Sequence, residues 1–189
     1  MSVALLLQPI LIWNWYFKVD VIGGRPAYLL YDDNSKIVFY LSDNLGGVDD
    51  FSFDKSVVAI AWWDVKKRRR CHVSFIGRDF REFRRIDLGE CGKARMGIDI
   101  KGLDFAVIYS KPRFSNEECV VKGWKDFKLF YQKHIGRCTG GEVFLRDKKI
   151  EYLKVCGGKI ETSWDGSMKC ENIIYGGGWV GCDEKRLSP

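Results

Sequence analysis

Residues 13–22, "WNWYFKVDVI", alternate apolar and polar: Trp13, Trp15, Phe17, Val19 and Val21 fall on one side, with Asn14, Lys18 and Asp20 on the other. A period of two predicts a half-buried strand. "GGRP" then turns the chain, and "AYLLY" and "KIVFYL" predict a hairpin about "DDNS". The stretch 42–55, "SDNLGGVDDFSFDK", reads as a long acidic loop. Residues 56–65, "SVVAIAWWDV", are apolar on both faces, the mark of a central strand, and "CHVSFI" follows across the basic turn "KKRRR".

"RDFREFRRI", residues 78–86, fits a helical face carrying Phe80, Phe83 and Ile86 nearly as well as a short strand, and in either form the two phenylalanines are expected in the core. The spacing of Val120, Trp124, Phe127, Tyr131 and Ile135 predicts a helix over 115–135, with Ser115 and Glu118 as a capping box and Gly136 as its stop. Beyond it, "GEVFL", "KIEYLKV", "KIETSW" and "MKCENIIY" return to strands. The expected fold class is α+β, predominantly antiparallel sheet made of hairpins and a C-terminal meander over about 142–182, with one main α-helix. A single domain over 1–189 accommodates it. No internal repeat is visible in the sequence.

Composition changes this picture little, since 46% hydrophobic residues supply an ample core. Charge changes it more. Residues 66–95 hold 11 Lys or Arg against Asp79, Glu82, Asp87 and Glu90, which gives +7 of the chain's net +6 and leaves −1 elsewhere. Residues 20–54 carry seven Asp against Arg25 and Lys36, or −5. Such segregation sets up opposed potentials if the segments lie apart, and cancels if they meet.

The basic segment is the main candidate site. Lys66, Lys67, Arg68, Arg69, Arg70, Arg78, Arg81, Arg84 and Arg85 are the expected contacts to nucleic-acid phosphates, with His72, Phe75, Phe80 and Phe83 as rings that stack on bases. The competing reading is a solvated turn over core phenylalanines. "KKRRR" also matches a nuclear localisation pattern.

His72, Val73, Ser74 and Phe75 resemble the first motif of the 2H phosphoesterases, a histidine followed at two residues by a hydroxyl. The resemblance implies phosphoester chemistry with His72 as acid or base and Ser74 holding phosphate. It covers one tetrapeptide. The second histidine, His134, is followed by Ile135 and Gly136 and lacks the hydroxyl.

Seven cysteines with no close pair, behind an N-terminus without a basic n-region, point to free thiols in a reducing compartment, cytoplasmic or nuclear. His134, Cys138, Cys156 and Cys170 have ligand chemistry for zinc but long spacings, and buried thiols are the preferred reading. Asp43, Asp49, Asp50 and Asp54 offer oxygens to a divalent cation without any EF-hand pattern. "YGGGWVG", residues 175–181, lacks the residues of a phosphate-binding loop. No cofactor, no membrane partner and no metal are expected.

The leading expectation is a non-enzymatic intracellular protein binding nucleic acid, RNA before DNA, or another polyanion through 66–95. The alternative is a structural, assembly or host-interaction protein, of the kind viral particles use, forming homo-oligomers through its acidic and basic surfaces. The third is the phosphoesterase centred on His72 and Ser74.

Overall fold

A computed structural model describes residues 10–12, 15–22, 25–31, 36–39, 42, 45–65, 68–113, 116–146, 149–156 and 159–163, the strands up to residue 39 by their backbone pairing. The expected strand at "MKCENIIY" and the "YGGGWVG" turn lie outside these residues. Four antiparallel meanders follow one another along the chain. The first holds β1 (Ile10–Ile12), β2 (Trp15–Ile22), β3 (Arg25–Tyr31) and β4 (Lys36–Phe39), and the second β5 (Leu45–Asp54), β6 (Val57–Asp64), β7 (Arg70–Gly77) and β8 (Glu82–Glu90). The third holds β9 (Gly97–Lys101), β10 (Asp104–Arg113), β11 (Asn116–Lys125) and β12 (Lys128–Gly136), and the fourth β13 (Gly140–Arg146), β14 (Lys149–Cys156) and β15 (Lys159–Thr162).

The expected helix over 115–135 is not there: the described residues contain no helix, so the fold is all-β rather than α+β. The segment is instead the β11–β12 hairpin, turning on Asp126 and Phe127, both at positive φ (47° and 61°). Two central residues at positive φ make the turn whose twist suits a hairpin, normally signalled by Asn-Gly or Asp-Gly. Phe127 in that place is strained, by roughly 1–2 kcal/mol. Its ring is held by Phe75 and Phe105, at centroid distances of 4.9 and 5.9 Å. The helical spacing arose because β11 is buried on both faces, Val120 and Trp124 toward one core and Cys119 and Val121 toward another. Such a strand loses the period of two.

Two further expectations are corrected. The acidic stretch 42–55 is largely strand β5 rather than a loop, and "RDFREFRRI" resolves into a turn followed by β8. The reading of 56–65 as a central strand agrees with β6, paired with β5 on one side and β7 on the other.

The second, third and fourth sheets stack face to face in succession. Ala59 and Ala61 of β6, Val73 and Phe75 of β7, Ile98 of β9, and Phe105, Val107 and Tyr109 of β10 form the core between the second and third sheets. Ala106, Ile108, Val121, Val143 and Tyr152 form the core between the third and fourth. The first strands lie side by side, β9 between β5 and β13. Consecutive meanders of four, four and three described strands packed this way are arranged like neighbouring blades of a β-propeller.

The acidic residues explain how adjoining first strands are joined without a backbone ladder. Asp49 accepts from the Met96 N–H (3.0 Å), Asp50 from Ile98 (2.8 Å), Ser52 from Ile100 (3.3 Å), and Asp54 from Gly102. Asp99 repeats the device toward the fourth sheet, accepting from the Leu145 N–H (2.8 Å). A buried N–H left unpaired costs about 1–3 kcal/mol, so these side chains both satisfy the β9 edge and hide it.

Cysteine bonding differs from the sequence reading as well. Cys71 is bonded to Cys91 and Cys119 to Cys138, each pair with Cα atoms 5.7 Å apart. Cys156 is free, and Cys170 and Cys182 lie outside the described residues. The two bridges expose a repeat hidden in the sequence. Cys119 follows Cys71 by 48 residues (119 − 71), and Cys138 follows Cys91 by 47 (138 − 91). In both hairpins a register shift follows the first cysteine and another comes four residues later. In both, a positive-φ phenylalanine after an Asp marks the turn (Phe80, Phe127), and a positive-φ glycine lies two residues before the second cysteine (Gly89, Gly136). Few side chains are shared, because the repeat is one of backbone irregularities.

Close approach of the first strands requires Gly97. A Cβ there would lie 2.5 Å from the Gly141 carbonyl oxygen and 3.0 Å from the Glu142 Cα, both backbone atoms. Gly97→Ala is therefore expected to destabilise the fold by about 1–3 kcal/mol, read as a lower urea midpoint at unchanged slope.

Candidate polyanion-binding surface

The segment 68–90 folds as β7, a turn and β8. Phe80 N–H donates to the Gly77 carbonyl (2.9 Å), Gly77 N–H to the Arg81 carbonyl (3.1 Å), and Asp79 accepts from the Arg81 N–H (3.2 Å). Lys66 and Lys67 lie outside the described residues. The arginines separate into two groups.

Four have carboxylate partners. Arg68 shares Nη1 between both oxygens of Glu90 (3.0 and 3.1 Å), Arg70 meets Asp87, and Arg85 makes a fork to Glu82 at 2.8 and 2.9 Å. Arg69 reaches Asp49 at 3.1 Å and lies 4.1 Å over the Trp63 ring, whose indole N–H donates to the same carboxylate. Here the acidic and basic stretches meet and neutralise one another. Burial alone would raise the Asp87 carboxyl, but its bonds from Arg70 and the Gly89 N–H outweigh that and hold it below the usual range. Exposed pairs of this kind stabilise by only about 0–1 kcal/mol, so their main effect is to spend charge within the protein.

Three arginines remain. Arg78 donates to the Lys55 carbonyl (3.0 Å). Arg84 lies 5.6 Å over the Phe127 ring, and no carboxylate among the described residues lies within ion-pair distance of Arg81 or Arg84. Beside them Phe83 is 49% exposed, a correction to its expected place in the core, with its ring 6.2 Å from Phe127. Lys128 and Leu129 follow at the start of β12, both exposed. Cations without acid partners and an accessible ring thus adjoin at the turn ends of β8 and β12. Phe127 and Leu129 were absent from the sequence-based site because the helix reading placed them elsewhere.

His72 and Ser74 are placed differently. Both are buried on the face of β7 opposite Val73 and Phe75. His72 stacks on Trp62 (centroids 4.4 Å apart), its Nε2 lies 3.1 Å from Asp64, and Nδ1 lies 3.9 Å from Asp87. The Ser74 hydroxyl accepts from the Trp62 indole N–H at 2.9 Å and is inaccessible. His134 is on β12, not at a helix end, opposite Val120 and 3.4 Å from Glu118. Val120 faces the core between the second and third sheets, whereas His72 faces away from it. The sheet carrying His72 stands between the two rings, and they form no common cleft.

Of the four residues weighed as zinc ligands, Cys170 lies outside the described residues. Cys138 is committed to Cys119, and the described residues hold no group of three or more ligating side chains suited to a metal. Asp49, Asp50 and Asp54 are engaged with backbone N–H groups. No protein-family model matches the chain, and no curated protein matches it.

Proposed function

We propose that this chain is a binding module for a polyanion, single-stranded RNA before duplex DNA, which it takes at the turn ends of β8 and β12. The observation that supports this reading most is the separation of the arginines: Arg81 and Arg84 have no carboxylate partner and adjoin the exposed Phe83. Guanidinium groups neutralise phosphates, and a ring of this exposure stacks on an unpaired base, worth about 1–3 kcal/mol per base. The contacts are therefore Arg81, Arg84, Lys128 and Phe83 rather than the "KKRRR" cluster as a whole. Two internal disulfides favour an oxidising compartment over the cytoplasm or nucleus expected from sequence.

Binding of a labelled single-stranded RNA across a salt series tests it. Arg81→Ala with Arg84→Ala is expected to flatten the log–log salt slope by about 1.4, two phosphates at roughly 0.7 each. Arg68→Ala with Arg70→Ala, which removes charges already paired, is expected to change the slope little. Equal slopes for the two double variants would refute the assignment. Heparin, which has sulfates and no bases, serves as comparison. If heparin binds as tightly and Phe83→Ala has no effect on either ligand, the site reads charge alone.

A second reading, self-association, is favoured by β12. Among the described residues it pairs only with β11, and it exposes Leu129 (51%) and Phe130 (57%) along that edge of the sheet. A mass that rises with concentration in light scattering, with no RNA or heparin binding, would carry that reading instead.

A further inference from the structure

Cys156 ends β14, and its thiol-bearing residue lines an open cavity of about 420 Å³ together with Cys138, one half of a disulfide. Lys93, Arg137 and Thr139 line the same cavity. The backbone brings the two sulfur-bearing residues into the same neighbourhood. Gly140 pairs with Val155, and Thr139 donates to the Val155 carbonyl through its N–H (2.7 Å) and its hydroxyl (3.1 Å). One step further in that register sets Thr139 opposite Cys156 with Cys138 one residue along the chain, and the cavity that both cysteines line places them on a common side. Opposite Cα atoms of an antiparallel pair lie about 4.5–5.5 Å apart and successive ones about 3.8 Å, so this offset of one residue is compatible with the roughly 4.4–6.8 Å Cα separation that a disulfide needs.

We propose that Cys156 and the Cys119–Cys138 bond form a thiol–disulfide exchange centre in which Cys138 is shared between two partners. The Cys156 thiol loses its proton to solvent, and its sulfur attacks the Cys138 sulfur. The Cys138–Cys156 bond forms as Cys119–Cys138 breaks, and Cys119 leaves as a thiolate that takes up a proton. One disulfide and one thiol enter and leave, so no oxidant or reductant is consumed. Lys93 and Arg137 bring positive charge to the lining of the cavity that Cys138 and Cys156 share. The other charged group of the cavity, Glu117, is committed, accepting from the Lys93 and Ala94 N–H groups (2.7 and 3.0 Å) and the Ser110 hydroxyl (2.8 Å).

The exchange has a defined structural result. Cys119–Cys138 ties β11 to the end of its own hairpin, inside the third sheet. Cys138–Cys156 ties the third sheet to the fourth, along a seam where the Lys154 ammonium already donates to the Ile135 carbonyl (2.7 Å). The Cys71–Cys91 bridge occupies the equivalent place in the second sheet and has no free cysteine among the described residues to exchange with. Among the described residues the switch therefore belongs to the third and fourth sheets.

Peptide mapping of the full chain tests this. The oxidised protein is held in native buffer with a trace of glutathione, quenched in acid, alkylated, and digested with trypsin. The expected result is a Cys138–Cys156 cross-linked peptide and a severalfold rise in alkylated Cys119. With Cys156→Ser, Cys119 labelling is expected to stay at background. In Cys119→Ser, glutathione disulfide is expected to drive Cys138 and Cys156 into a cross-link. Cys156 remaining the alkylated partner in the parent, with Cys119 unlabelled, would overturn the proposal. So would Cys119 released equally in Cys156→Ser, or Cys138 and Cys156 both capped by glutathione in Cys119→Ser. If Cys119→Ser does not fold, the parent and Cys156→Ser maps decide.

Discussion

Reducing either bridge is expected to cost the fold about 3 kcal/mol, and reducing both about 6. Cross-linking a chain removes loop-closure entropy from the unfolded state, and loops of 20 and 19 residues give about 3 kcal/mol each. The two bridges belong to different cores that share no residue, so their effects should add. Against a total stability of 5–15 kcal/mol for an ordinary domain, the sum decides whether the chain folds in a reducing compartment. At this chain length 1 kcal/mol moves Tm by roughly 2–4 °C, so Cys71→Ala with Cys91→Ala should lower it by about 6–12 °C. Thermal melts of the parent with and without a phosphine reductant, beside that variant, provide the check. A parent whose melt ignores the reductant has free thiols, as the cysteine spacing suggested, and the bridges are then absent in solution.

Sequence periodicity identified β2, β3, β4, β6, β7, β13, β14 and β15, left β8 open between helix and strand, and did not mark β5 or β9 to β12 as strands. Residues 57–62 were legible because six consecutive buried side chains are rare outside a central strand. The β11–β12 hairpin was not, for two linked reasons. Its buried residues on alternate faces mimic a helical stripe, and its turn uses Asp126 and Phe127 in place of the glycine or asparagine that marks such a turn. The phenylalanine tolerates that turn because Phe75, Phe83 and Phe105 surround it, a tertiary fact that no local pattern carries. The 48-residue repeat was hidden for a similar reason: it resides in bulges, two positive-φ positions and the cysteines, and the side chains between them differ.

For the candidate site, the sequence located the charge and missed its partners. Arg68, Arg69, Arg70 and Arg85 look alike in the chain, yet a carboxylate stands beside each. Glu82, Asp87 and Glu90 were in plain view, but their pairing depends on the register of β7 with β8, which pairs Arg70 with Glu90 and sets His72 opposite Asp87. Asp49 is 20 residues from Arg69 and reaches it only through the fold. The acidic stretch reads as a loop because the adjacent Asp49 and Asp50 interrupt any apolar–polar alternation. Its actual task, accepting from the N–H groups of β9, needs a neighbour that sequence does not reveal.

That task leaves a mark on stability that pH should reveal, and Asp50 carries the largest part. Burial pushes its carboxyl up to about 6, against the pull of the Ile98 and Phe51 N–H groups and of Arg95, while Glu142 adds to the rise. Burial likewise raises Asp49 and Glu142. An unfolded Asp releases its proton near 3.9. Between about pH 4 and 6 the folded chain thus binds more protons than the unfolded one, and stability falls as pH rises through that window. The contribution is complete below about pH 4 and gone above about pH 6, a loss of about 2–3 kcal/mol from this group. Asp54 and Glu117, held low by N–H donors, act in the opposite sense at lower pH, losing stability as pH falls. Asp50→Asn keeps an oxygen for the Ile98 N–H and carries no charge to bury. It should match the parent near pH 4 and exceed it by about 2 kcal/mol at pH 8, in urea titrations at both values. The competing effect is Arg95, itself pushed down by burial and pulled up by Asp50, Asp49 and Glu142. Because Arg95 keeps the latter two and donates to the Asp49 carbonyl, the relief of burial at Asp50 should win. An Asn variant less stable than the parent at pH 8 would mean that the Asp50–Arg95 attraction is the stronger force.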